Sequence, residues 1–164
     1  MSSNNDNVVD LGFKEVRCIV VDLDGTLANY SHRVDFAYAK DWDSFHAAGA
    51  EDKVYEDVRR ALEFLLLNDE LLDLIILTGR TERYREQTMQ WLDKYELWPD
   101  YLLMRPNDDW TKDGELKVKL LTEHFGTIEK AKERVLFILD DRDSSVEGLR
   151  NAGFPVWQVR PSGY

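Results

Sequence analysis

One cysteine, no membrane-length apolar run and a shortage of positive charge set the first limits on this chain of 164 residues. Cys18 stands alone, so no disulfide can form within the chain. Its place inside an apolar run predicts a buried, inert thiol in a reducing compartment, with a cytoplasmic location. The net charge of −11 argues against a broad electrostatic grip on a nucleic-acid backbone. Contact with nucleic acid is therefore expected to be local, such as a chain end entering a pocket. No apolar stretch is long enough to cross a bilayer, and no membrane partner is expected. The start lacks the basic region and apolar core of a signal peptide, and residues 1–14 read as a frayed tail. His32, His46 and His124 lack metal-ligand spacing, which argues against a zinc site. Repeats, low-complexity tracts and linkers are absent too, and with 43% hydrophobic content residues 15–164 suffice for one domain with a full core.

What is present begins with Val20-Val21-Asp22-Leu23-Asp24-Gly25-Thr26. An apolar run delivers two carboxylates, one residue apart, to a glycine turn. Side chains alternate along a strand, so Asp22 and Asp24 start on the same side, and Gly25 lets the chain turn without a Cβ penalty. Two acids held together at a buried strand end repel unless a cation sits with them. Mg²⁺ suits that place, because it binds one or two carboxylates together with phosphate oxygens.

Strand and helix patterns then alternate along the chain. Strands are expected over 16–23, 72–77, 101–104, 135–139 and 154–159, and helices over 55–67, 82–94, 115–125 and from Ser144 or Ser145 to 152. Tyr84, Thr88, Trp91 and Tyr95 form one stripe of the second helix, and Gly153 is a C-terminal stop for the last. The expected fold is α/β: a Rossmann-like three-layer α/β/α arrangement with a central parallel sheet of about five strands. Residues 27–54, aromatic and charged, form a small lid or cap insertion, or a helix covering one sheet edge.

Ligands of such sheets bind at the carboxyl ends of the strands. Those ends carry Asp22 and Asp24, then Thr78-Gly79-Arg80, then Arg105, then Asp140-Asp141-Arg142. Acids, a hydroxyl and basic groups thus converge on one rim, as a metal-bound phosphate site requires.

This set resembles the haloacid dehalogenase-like phosphohydrolases. Their first motif, Asp-x-Asp-x-Thr, is matched by Asp22 to Thr26; the second, a Thr or Ser after strand two, by Thr78; the fourth, an acidic pair, by Asp140-Asp141. Within the superfamily the chain is most similar to the 3′-phosphatase domain of bacteriophage-type polynucleotide kinase–phosphatase. Arg33, Thr78-Gly79-Arg80, Arg105, Asp113-x-x-x-Lys117 and Ile138 to Arg142 carry that likeness. It selects Lys117 over Lys112 and Lys119 as the third-motif lysine, and helical i,i+4 spacing sets Lys117 beside Asp113. No Gly-x-x-x-x-Gly-Lys-Ser/Thr loop is present, so no 5′-kinase activity is expected of this chain alone.

The resemblance implies a Mg²⁺-dependent phosphatase. Asp22 would be the nucleophile, forming an aspartyl-phosphate. Asp24, partly protonated through nearby carboxylates, would serve as general acid and then base. Thr78 and Lys117 complete the catalytic set. The metal candidates are Asp22, the Leu23 carbonyl, Asp24, Asp140 and Asp141, with Asp140 either a ligand or an orienting acid. Arg33, Gly79, Arg80, Arg105 and Asp113 are the substrate-binding candidates, whereas Arg83 and Arg85 read as surface charges. Trp42 and Trp110 fall in loops, where either stacks on a base or packs the lid. The expected substrate is a 3′-phosphorylated DNA or RNA end. Nucleoside monophosphates, and a catalytically silent end-binding module, are the alternatives, and a separate kinase or ligase is the expected partner. The oligomeric state stays open.

Overall fold

The computed structural model describes residues 16–162; the expected tail lies outside them. In chain order the elements are β1 (Arg17–Val21), β2 (Ala28–Asn29), α1 (Val34–Tyr38), α2 (Trp42–Ala47), β3 (Lys53–Val54) and α3 (Glu56–Asn68). Then follow β4 (Leu72–Thr81), α4 (Arg85–Lys94), β5 (Tyr101–Arg105) and α5 (Asp113–Phe125). The last four are α6 (Ile128–Arg134), β6 (Val135–Arg142), α7 (Asp143–Asn151) and β7 (Val156–Ser162).

Strand β1 is buried from Cys18 onward, and its β-branched Ile19, Val20 and Val21 suit a strand covered on both faces. It therefore takes the centre of a five-stranded parallel sheet ordered β5-β4-β1-β6-β7. Alternation then splits the core in two. Val20, Ile75, Leu77 and Ile138 face α5, α6 and α7, whereas Ile19, Val21, Leu74 and Ile76 face α3 and α4. Fully covering a leucine contributes about 1.5–3 kcal/mol. Leu116 and Leu121, both buried on α5, thus hold that helix to the sheet by roughly 3–6 kcal/mol. The three-layer α/β/α fold with five parallel strands is the one the alternating pattern implies.

Helix α5 is also fixed by a contact without side chains. It crosses α7 where Gly114 meets Gly148, and a Cβ on Gly148 would lie 2.9 Å from the Gly114 Cα. Only glycine permits this approach, and it lets the two helices pack backbone to backbone.

Several boundaries move. Residues 82–84 form a 3₁₀ turn, so α4 starts at Arg85 and Tyr84 stands off the expected stripe. Helix α7 begins at Asp143, and Ser145 is not its cap: its buried hydroxyl donates to Asp113 at 2.6 Å. Gly153 does end the helix, at φ +94°. Helix α6 was not expected, because Ile128 and Ala131 are its only apolar residues and no period shows. Its start is marked instead by Thr127, whose side chain accepts a hydrogen bond from the Lys130 N–H.

The insertion after β1 is bracketed by β2 and β3, which pair antiparallel. Between them lie α1, α2 and short 3₁₀ turns, with the Asp41 side chain capping α2. Helix α4 holds this lid from outside: Gln87 donates to the carbonyls of His46 and Ala47, and the Trp91 indole to that of Asp52.

Candidate active site

The first acidic strand end is shaped by Gly25. It has φ +94°, and a Cβ there would sit 2.2 Å from an Asp141 carboxylate oxygen, so turn and packing both demand glycine. The Leu23 carbonyl accepts from the N–H groups of Leu27 and Ala28, at 2.9 and 2.7 Å, to close the turn. Both of its lone pairs are thereby engaged within the turn. Two of the other site-bearing ends are irregular. The register of β4 against β5 shifts between Thr78 and Thr81, and that of β6 against β7 between Asp140 and Arg142. Such bulges re-aim side chains, here toward a cleft of about 480 Å³.

Asp22 faces that cleft, buried, with Lys117 at its side. The Lys117 ammonium lies 2.8 Å from Asp22, 2.7 Å from Asp140 and 3.2 Å from Asp113. Burial, and after it the charges of Asp140, Asp141 and Asp113, push the Asp22 carboxyl well above its usual range, against the pull of Lys117. Burial alone would lower Lys117, but Asp113, Asp140 and Asp22 outweigh it and hold the ammonium charged. Lys119 instead points outward to Asp109 at 3.2 Å.

One oxygen each from Asp22, Asp140 and Asp141 lie within 4.8 Å of one another. These crowded, buried acids, with a single lysine among them, fit a hard divalent cation such as Mg²⁺. Asp141 lines the cleft and Asp140 does not; both Asp140 oxygens engage the protein, one with Lys117 and one with the Arg142 N–H.

Asp24 sits in a different network. Arg80 grips it with Nε at 3.0 Å and Nη2 at 2.6 Å, and Arg33 donates to it from the lid. Both arginines also reach Asp52, which is fully buried and further bonded to His32 at 2.8 Å. Burial would raise the Asp24 carboxyl, but Arg80 and Arg33 outweigh it and hold it well below the usual carboxylate range. Neighbouring acids would favour a proton on Asp24, but its nearest charges are these guanidiniums, which favour the carboxylate. Arg33 and Arg80 are buried beneath the cleft as partners of Asp24, outside its lining.

Thr78, Gly79, Arg105 and Asp113 do line the cleft. Arg105 donates to the Gly79 carbonyl at 3.1 Å and to Asp113 at 3.1 Å, so it braces the second strand end. Burial would raise Asp113, but Lys117, Arg142, Ser145 and Arg105 hold it well below its usual range. The opposite wall holds residues that were not among the expected site residues, together with the two tryptophans expected to stack on a base or pack the lid. His46 lies between the rings of Phe45 and Tyr84, at 5.5 and 5.2 Å, and burial pulls its imidazole down to about 4. Arg83, expected as a plain surface charge, stands half-exposed at the rim, 3.5 Å from Asp43. Trp42 lies on α2 and Trp110 in the loop before α5, and both line the cleft.

Fold and rim together place the chain among the haloacid dehalogenase-like phosphohydrolases, a class of phosphoric monoester hydrolases. A protein described as a phosphatase from Clostridium difficile shares the fold, at TM-score 0.61 and 18% identity over 92% of this chain and 88% of its own. The finer assignment comes from the family described as the polynucleotide kinase PNKP phosphatase domain, which matches residues 16–164; the chain belongs to that family. A protein of Autographa californica nuclear polyhedrosis virus, named for a bifunctional polynucleotide kinase/RNA ligase, is 29% identical over 155 residues. That match spans 94% of this chain but 21% of the viral protein. Two solved structures of a Pnkp1/Rnl/Hen1 complex, one described as an RNA repair complex, each contain a chain 29% identical, at TM-scores of 0.75 and 0.77. They cover 92% and 93% of this chain, which spans 47% and 45% of theirs. Among the described residues no helix is long and apolar enough to cross a membrane.

Proposed function

We propose that this domain is a Mg²⁺-dependent phosphatase that removes 3′-phosphates from polynucleotide ends through an aspartyl-phosphate on Asp22. The observation that carries the reading is a buried carboxylate facing the cleft, with Lys117 at 2.8 Å and two further acids within ligand distance. Asp22 and Asp141 hold the metal, and Asp140 supports both it and Lys117. When bound, Mg²⁺ supplies positive charge against the phosphate oxygens.

The remaining chemistry belongs to the side chains. Asp22 attacks phosphorus, and the bond to the leaving 3′-oxygen breaks. The Lys117 ammonium steadies both the nucleophile and the non-bridging oxygens, and Thr78 donates to the same oxygens. Arg33 and Arg80 position Asp24. A dianionic phosphate arriving beside Asp24 opposes those arginines and raises its proton affinity, so its acid role falls in the bound state. In that state Asp24 takes a proton from solvent and passes it to the leaving 3′-oxygen, and the emptied carboxylate then takes one from the water that splits the aspartyl-phosphate.

One relative is named for a polynucleotide kinase and an RNA ligase, and another stands in a complex described as one of RNA repair, which favours RNA ends and a kinase or ligase acting alongside. The test is Mg²⁺-dependent phosphate release from an oligonucleotide 3′-phosphate, its 5′-phosphate isomer and nucleoside monophosphates, with Asp22→Asn as blank. Strong preference for the 3′ end is expected. Equal or better hydrolysis of mononucleotides overturns the end-specific reading and leaves a metabolite phosphatase. Release that persists in Asp22→Asn removes the nucleophile.

A further inference from the structure

The cleft is larger than its chemistry needs. About 480 Å³ lies within the range that holds whole organic ligands, roughly 300–1,000 Å³, far beyond one phosphate group. Its inner end is the acid–lysine cluster. Its outer half is built differently, from Trp42, Phe45 and His46 on α2, Thr81 and Arg83 after the second strand end, and Trp110 on the loop following β5.

Two observations point to what that outer half holds. The first is aromatic surface left in water. Trp110 is 84% exposed and has no ring partner among the described residues. Trp42, 40% exposed, meets Phe45 edge-on at 5.9 Å and 84°. The second is a pair of orphaned polar atoms. His46 Nδ1 and Thr81 Oγ1 are both buried without a hydrogen-bond partner, in residues that line the same space. Buried groups of this kind cost free energy unless something satisfies them. Helix α4 holds the His46 and Ala47 carbonyls, so this wall stands preformed.

A ligand with a flat π-face, hydrogen-bonding groups beside it and a phosphate at one end satisfies all of these features, and a nucleotide is that ligand. We propose that Trp42 and Trp110 stack on the terminal nucleobase of the substrate, while His46 Nδ1 and Thr81 Oγ1 take polar groups of the attached nucleoside. This rests on the phosphatase reading and deepens it. The enzyme would recognise an end by its last base as well as by its phosphate, and the base must leave its pairing partner to enter. Selectivity of this kind tolerates sequence, because every base presents a π-face.

The experiment compares kcat/KM for a 3′-phosphorylated oligonucleotide with that for the same strand ending in a base-less sugar 3′-phosphate. Base stacking predicts that the wild-type protein favours the base-bearing end by about five- to a hundredfold. Trp110→Ala and Trp42→Ala should each reduce that ratio several-fold, while Trp110→Phe and Trp42→Phe, which keep a stacking ring, retain most of it. Quenching of tryptophan fluorescence when the oligonucleotide binds Asp22→Asn protein reports stacking without turnover. A wild-type ratio near one, or an unchanged ratio in both alanine variants, overturns the stacking proposal and leaves the phosphatase reading standing. If neither substrate is hydrolysed by wild-type protein in Mg²⁺, the phosphatase reading fails, and the stacking proposal with it.

Discussion

Replacing Lys117 by methionine tests the electrostatics of the site apart from its turnover. Its side chain is 2% exposed, and the ammonium contacts Asp22, Asp140 and Asp113 at 2.8, 2.7 and 3.2 Å. Methionine keeps most of the volume and removes the charge. Breaking a buried ion pair from one side costs about 3–5 kcal/mol, a large share of a domain stability of roughly 5–15 kcal/mol. With a urea slope near 2 kcal/mol per molar, the midpoint should fall by about 1.5–2.5 M near neutral pH. The pH dependence has a definite sign. Lys117 is held charged above its ordinary range, so its contribution is fully present near pH 7 and is lost only in strong base. Without it, Asp22, already pushed up by burial, rises further and the folded state takes up protons that the unfolded state does not. The deficit should therefore narrow from about pH 7 to about pH 5. Added Mg²⁺ should raise the variant's midpoint more than that of wild type, since it restores positive charge among the same acids. Lys119→Met, with half its side chain in water, should stay within about 0.5 kcal/mol of wild type. Equal midpoints for Lys117→Met and wild type, unmoved by pH and by Mg²⁺, would refute the reasoning.

Three more outcomes are expected. Gly25→Ala should lower turnover by about a hundredfold, because its Cβ displaces the Asp141 carboxylate; Gly126→Ala, also at positive φ but facing open space, should lose stability and keep its rate. Comparable steady-state rates for the two variants would contradict this. Asp52→Asn strands Arg33 and Arg80, and should cost about 3–5 kcal/mol, or about 6–20 °C of melting temperature by calorimetry. A melt within about 2 °C of wild type would show that Asp24 alone suffices for both guanidiniums. Burial pushes the Cys18 thiol up to about 12, so a thiol reagent should leave folded protein unlabelled and react only after urea unfolding; rapid labelling of the folded form would count against it.

How much of this was legible beforehand differs from residue to residue. Asp22, Asp24 and Gly25 announce themselves because an apolar run ends on them, and the alternation of strands and helices carries the layer order without further information. Lys117 and Lys119 share one helix, but Lys117 lies on the same face as the buried Leu116, Leu120 and Leu121 while Lys119 lies opposite, and the Asp113-x-x-x-Lys117 spacing pointed to the same lysine. Asp52 was invisible. It follows Glu51 in a charged stretch, and nothing local marks it as the buried hub of Arg33, Arg80 and His32. The same hub explains why the two arginines looked like free phosphate ligands: a guanidinium's partner lies at long range, where periodicity carries no signal. His46 was weighed only as a metal ligand, and its place in the cleft was not legible for a related reason, since its surroundings come from Phe45 beside it and Tyr84 from another element.

The Arg33–Asp24–Arg80–Asp52 network fastens the insertion to the sheet beneath it. Lifting the insertion would part Arg33 from Asp24 and Asp52 from Arg80, both in a nearly dry interior. A door hung on such a hinge would rarely swing, so this one serves as masonry. The cleft is then a mould with standing walls: substrates are sorted by what its mouth admits, and product leaves by the way it came in. Swapping that insertion between relatives would therefore transplant more than a cover, because Arg33 and Asp52, which fix the Asp24 carboxylate and its arginine partner, travel with it.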